Sequence, residues 1–98
     1  MSFASVQLDL IRWAEARRII PNASGQVQLM KAVSELGELC EAWNTGGDVL
    51  DEYGDLLATL VLFGANQDID PVRALEQTYA KIKDRRGTML PNGCFVKE

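Results

Sequence analysis

Two apolar series at helical spacing, divided by only a few turn residues, constrain this 98-residue chain more than any other feature. The first carries Leu29, Val33, Leu36, Cys40 and Trp43 and is ended by the run Asn44, Thr45, Gly46, Gly47. The second begins near Asp48 and carries Val49, Tyr53, Leu56, Leu57, Leu60 and Phe63. So short a connection makes the two helices antiparallel neighbours. A helical hairpin is therefore the centre of whatever the chain builds.

The flanking segments add two more helices. Phe3, Val6, Leu10 and Trp13 predict a first helix over residues 3–18, broken by Pro21 and Asn22. Asp70 reads as an N-cap with Pro71 at the first helical position, where its missing N–H costs nothing. That last helix carries Val72, Leu75, Tyr79 and Ile82 and is expected to stop at Gly87. The tail from Gly87 to Glu98 contains a Pro-Asn-Gly turn and predicts a short extended pair. No repeat or linker interrupts the chain. The expectation is one all-α domain over residues 1–98, a four-helix bundle with a short C-terminal extended tail. The third helix is apolar over more than one stripe, which predicts a homodimer or homotetramer built on helices two and three.

Composition narrows the function. Apolar residues make up 47% and charged residues 24%, ordinary for a soluble globular protein. No apolar run approaches the roughly 18 residues of a membrane span, and the N-terminus lacks the pattern of a signal peptide. A cytoplasmic protein with no membrane partner is expected. The net charge of −4 argues against binding nucleic acid through its backbone. Cys40 and Cys94 cannot form a disulfide framework, and Cys40 reads as a small buried residue. The chain has no histidine, which removes His-assisted nucleophiles and His-based proton transfer. Any catalysis must run on carboxylates, lysine, arginine or a metal.

The carboxylates fall in a pattern. On a helical wheel, Leu29, Leu36, Cys40 and Trp43 cluster on one side, with Glu35 at the edge of that face and Glu38 one step further round. Glu52 and Asp55 repeat the spacing on the next helix, on a polar stripe with Asp48 and Thr59. Gly37 and Gly54 each lie between the acids of a pair, where a ligand or a neighbouring helix can come close. Two facing pairs would supply four oxygen ligands, a set that selects magnesium or manganese over zinc or copper. Any one such pair is more often a solvated acidic face, and two pairs on consecutive helices, each with an internal glycine, leave both readings open.

The stretch KAVSELGELCEAW followed by DEYGDLLATLV resembles the all-α nucleoside triphosphate pyrophosphohydrolases of the MazG family. Their pattern, E-x-x-E on one helix and E-x-x-D on the next, is met here by Glu35, Glu38, Glu52 and Asp55. The likeness continues into IDPVRALEQTYAKIKDRRG, where Lys81 and Arg85 match the family's phosphate-contacting basic pair, and to the ending NGCFVKE. Two positions depart from the pattern. Ser34 stands where members often carry a further glutamate, which would lower the number of metals held. Tyr79 stands where an asparagine is common, which would alter substrate contacts.

The resemblance implies hydrolysis of a nucleoside triphosphate to monophosphate and pyrophosphate. Magnesium, with manganese as a substitute, would sit on Glu35, Glu38, Glu52 and Asp55. Glu38, off the core edge, would take the proton of the attacking water, and Lys81 and Arg85 would hold the departing pyrophosphate. Trp13 and Trp43 have two readings, base-stacking platforms or bundle-core aromatics, and the second is preferred. Two alternatives stay open. One is a narrower all-α dUTP or phosphoribosyl-ATP pyrophosphohydrolase; the other is a non-catalytic helical oligomerisation module with an acidic face.

Overall fold

A computed structural model describes residues 1–98. Its elements are α1 (Phe3–Ala16), α2 (Ile19–Asn22), α3 (Gly25–Thr45), α4 (Val49–Asn66), α5 (Pro71–Ile82), β1 (Gly87–Met89) and β2 (Phe95–Lys97). The chain is all-α with an extended C-terminal tail, as the sequence predicts. Each long helix starts where a side chain satisfies its free N–H groups. Ser2 and Ser5 form a reciprocal capping box, and Ser24 accepts from Val27 N–H at 3.2 Å. Asp48 accepts from Asp51 N–H at 3.0 Å, and Asp70 accepts from Val72 N–H at 3.1 Å ahead of Pro71. Gly46, at φ 74°, closes α3 in the left-handed conformation that glycine adopts without strain.

Two boundaries differ from expectation. α1 ends at Ala16, because Arg18 turns the chain at φ 60° before the one-turn helix α2. α5 stops at Ile82 rather than near Gly87. The following run is polar, and Asp84 would place a negative charge at the negative end of the helix dipole. Arg85 therefore lies in a turn, its N–H donating to Ile82 C=O at 2.9 Å, and does not share a helical face with Lys81. The tail does form an antiparallel pair, with Gly87 opposite Lys97 and Met89 opposite Phe95.

α4 is the central helix, packed by α1, α2 and most extensively by α3. It buries Thr59, Val61 and Gly64, and a methyl at Gly64 would come within 2.7 Å of the Ile69 carbonyl oxygen. No helix is long and apolar enough to cross a membrane. α3 meets α4 through Gln28, Ala32 and Ala42, with Glu35 and Leu39 half-buried between them. This corrects the wheel: Val33, Leu36 and Trp43 are 71%, 49% and 76% exposed, and Cys40 is exposed too. Small side chains let two helices approach closely, so alanine and a paired amide win the inner face. Gln28 accepts from the Asn66 side-chain amide at 2.9 Å across that interface.

α5 and the β-hairpin stand off this body. α5 buries no residue and makes no substantial packing with α1 to α4, which leaves Val72, Leu75, Tyr79 and Ile82 exposed. The radius of gyration is 16.2 Å, against about 13 Å for a compact chain of this length. The surface is 7731 Å² for 10.8 kDa, where a compact monomer shows about 5,500 Å².

Candidate metal centre

The Gln28–Asn66 bond fixes how α3 and α4 lie along each other. From it toward the loop, α3 and α4 bring Lys31 and Thr59, then Glu35 and Asp55, to one cleft; Glu38 and Glu52 share the next depression. Antiparallel helices repeat this meeting at every turn, so i, i+3 pairs on each produce one four-carboxylate region. Carboxylate oxygens of Glu35, Glu52 and Asp55 lie within 4.8 Å of one another. Glu38 lies just outside that tightest group, in a second depression shared with Glu41, Asp48 and Glu52.

The electrostatics of the cluster are strained. The Oε2 atoms of Glu35 and Glu52 are buried without a hydrogen-bond partner. The Glu35 carboxyl is held above its ordinary value of 4.5, first by the Glu38 carboxyl beside it, with which a proton would be shared. Burial and the charges of Glu38 and Asp55 push the same way, and Lys31 opposes them. Glu52 is also raised, first by burial and then by the charges of Glu38, Asp55, Asp51 and Glu35. Glu38 is thus electrically part of the cluster.

The residues fit a hard divalent cation. All donors are oxygens, two of them buried with nothing to bind. Their spread is close to the roughly 4.2 Å across an octahedral magnesium ion. Glu35, Glu52 and Asp55 are the residues placed to hold it, with Glu38, also expected from the sequence, at the edge of the group. Methyl groups at Gly37 and Gly54 would meet nothing within 4 Å, so both glycines look onto open space beside the helices.

The cleft beside Glu35 and Asp55 has a volume of ≈ 430 Å³, within the usual range of small-ligand sites, roughly 300–1,000 Å³. Trp13 lines it, with the Arg17 guanidinium 4.5 Å above its ring, so Trp13 is no core residue; Trp43 is exposed elsewhere on α3. Lys81 and Arg85 do not line this cleft; they sit on the detached arm. Sequence reasoning passed over Lys31, four residues before Glu35, and the buried Gln28–Asn66 pair. Their signal was position: Gln28, Ala32, Glu35 and Ala42 recur at helical spacing on one face.

No protein-family model matches the chain. Over 66 residues it is 32% identical to an uncharacterized 18.2 kDa protein from the rep-hol intergenic region of Haemophilus phage HP1 (strain HP1c1). That match takes in 65% of this chain and 40% of the phage protein, so the chain spans well under half of that relative's length. In three dimensions it is similar to the cyanophage S-2L MazG-like pyrophosphohydrolase, solved with dGDP and three catalytic Mn²⁺ ions per active site. The TM-score is 0.75, covering 100% of this chain and 98% of that one, at 18% identity. The fold is MazG-like. At this identity the likeness is one of fold.

Proposed function

We propose that this chain hydrolyses nucleoside triphosphates to monophosphate and pyrophosphate in the presence of magnesium or manganese. The observation that carries the reading is the cluster of Glu35, Glu52 and Asp55 oxygens, two of them buried and unpartnered, on a MazG-like fold. When bound, the divalent ion would neutralise charge on the phosphate oxygens and on the developing transition state. Glu35, Glu52 and Asp55 hold their carboxylates fixed on two rigid helices, so little reorganisation accompanies the reaction. Glu38, more exposed than Glu35, takes the proton of the water whose oxygen attacks the α-phosphorus. The α–β anhydride bond breaks, and its electron pair leaves on the pyrophosphate.

The working unit we infer is a homo-oligomer. About 2,200 Å² of surface beyond that of a compact monomer supports it, an amount typical of one partner's share in an obligate interface. The apolar stripe of α5 and the outer face of α3 are the surfaces to be covered. Lys81 and Arg85 then reach the phosphate chain from a second copy rather than from their own.

A panel of nucleoside triphosphates with magnesium or manganese, read for pyrophosphate, tests the reaction. Pyrophosphate and the matching monophosphate are expected. Release of inorganic phosphate and a diphosphate places the cut at the wrong bond and overturns the proposal.

A further inference from the structure

Lys31 is the one cation among the residues lining the cleft beside Glu35 and Asp55, and the reaction above leaves it without a role. The plain explanation is a helix-surface ion pair with Glu35, four residues on. Two observations oppose it. Lysine preceding glutamate by four is the less favourable order for a helical pair. The Glu35 Oε2 atom is buried with no hydrogen-bond partner, so the ammonium is not seated on it. Lys31 is exposed at the cleft, which Trp13 and Leu10 of α1 also line.

The charges say what would meet it. The four acids are matched to cations, and an anion entering beside them needs a positive partner that the acids cannot supply. The arm carrying Lys81 and Arg85 does not line the cleft in the same protomer. We propose that Lys31 contacts substrate: its ammonium binds a non-bridging oxygen of the phosphate chain on the Trp13 side of the acidic cluster, in the protomer that supplies Glu35 and Asp55. This rests on the triphosphate reading and adds to it a phosphate contact in cis.

The sign of the effect on metal separates this role from a structural one. A lysine beside the acids repels an incoming divalent cation, so Lys31→Gln leaves manganese binding equal or tighter. A lysine that only positioned Glu35 would, when removed, loosen manganese. The experiment is titration calorimetry of the wild type, Lys31→Gln and Lys31→Arg. Manganese is titrated first, then the α,β-methylene form of the nucleotide that the wild type turns over best, at saturating manganese. Lys31→Gln is expected to weaken nucleotide binding about 10- to 100-fold with manganese affinity unreduced, and Lys31→Arg to restore most of it. Equal nucleotide affinity in the wild type and Lys31→Gln overturns the assignment, as does weakened manganese binding. A wild type that binds manganese but no nucleotide overturns the triphosphate reading itself, which is a separate result.

Discussion

The two faces of α3 invert the usual relation between size and burial. The face turned to α4 is built of Gln28, Ala32, Glu35, Leu39 and Ala42, small or polar apart from one leucine. The face turned away carries Leu29, Val33, Leu36 and Trp43, all exposed. Large apolar residues normally drive burial at about 25 cal/mol per Å², so this face would gain the most from a second copy that covered it. The inner face acts differently, setting two backbones close enough for carboxylates from both to crowd. On the proposed reading, the outer face serves the assembly and the inner face serves the site.

The largest test of that division is on the inner face. Glu52→Gln removes one charge from the cluster with almost no change of shape. Turnover is expected to fall by about two to three orders of magnitude, the usual scale for lost electrostatic stabilisation of a transition state. The metal-free variant should melt at or above the wild-type temperature, because a desolvated repulsion has gone. Magnesium should raise the wild-type melting temperature and raise the variant's by less. Thermal melts with and without magnesium, beside an activity assay, read all three. A variant with full activity and an undiminished magnesium shift would return the acids to a solvated face.

Next comes the outer face. Leu36→Asp places a charge in the stripe we expect a second copy to cover. Sedimentation should then move from a multiple of 10.8 kDa toward 10.8 kDa itself, with a lower denaturation midpoint. A wild type that already sediments at 10.8 kDa breaks the comparison.

A smaller effect is expected at the far end of the inner face. Asn66→Ala leaves the buried Gln28 amide without its partner, at a cost of about 1–3 kcal/mol in denaturant unfolding. Replacing both residues by leucine should recover most of that loss, since no polar group is then left unpaired.

The smallest is a drift with pH. Glu35 and Glu52 titrate above the ordinary 4.5, so the folded metal-free protein binds more protons than the unfolded chain between the ordinary and the raised values. Their contribution to stability is therefore largest below that window and is lost as pH rises through it. Saturating magnesium should flatten or reverse the slope, because the ion binds the ionised carboxylates. Denaturation midpoints from about pH 4 to 7, with and without magnesium, measure it. A metal-free Glu52→Gln variant whose midpoint follows pH as the wild type's does would contradict the crowding.

Much of this was legible in the sequence, for reasons that are local. Asp70 and Pro71 begin α5 and the Pro-Asn-Gly turn closes the β-hairpin, because caps and turns are decided by a few adjacent residues. The i, i+3 spacing across a short loop put Glu35, Glu52 and Asp55 on facing turns, while Glu38 falls just outside their group. What hydropathy could not show was which face of α3 meets α4. Alanine contributes little to an apolar wheel, yet Ala32 and Ala42 decide how near the helices come. Lys31 looked like any surface lysine until the cleft put it beside Glu35 and Asp55. The detachment of α5 was equally hidden, since its apolar stripe suits a neighbour in its own chain as well as one in another.

The short α3–α4 loop also carries a kinetic consequence. The acids are joined by contacts local in sequence, and such hairpins form faster than assemblies of distant segments. Glu35, Glu38, Glu52 and Asp55 are therefore expected to meet early in folding, where their repulsion would slow the step that joins the two helices. An ion that binds them acts on the folding barrier as well as on the finished protein. Magnesium should accordingly speed refolding of the wild type, and of Glu52→Gln much less. Stopped-flow refolding at matched ionic strength reads this directly, and a rate indifferent to magnesium would place the crowding after the barrier.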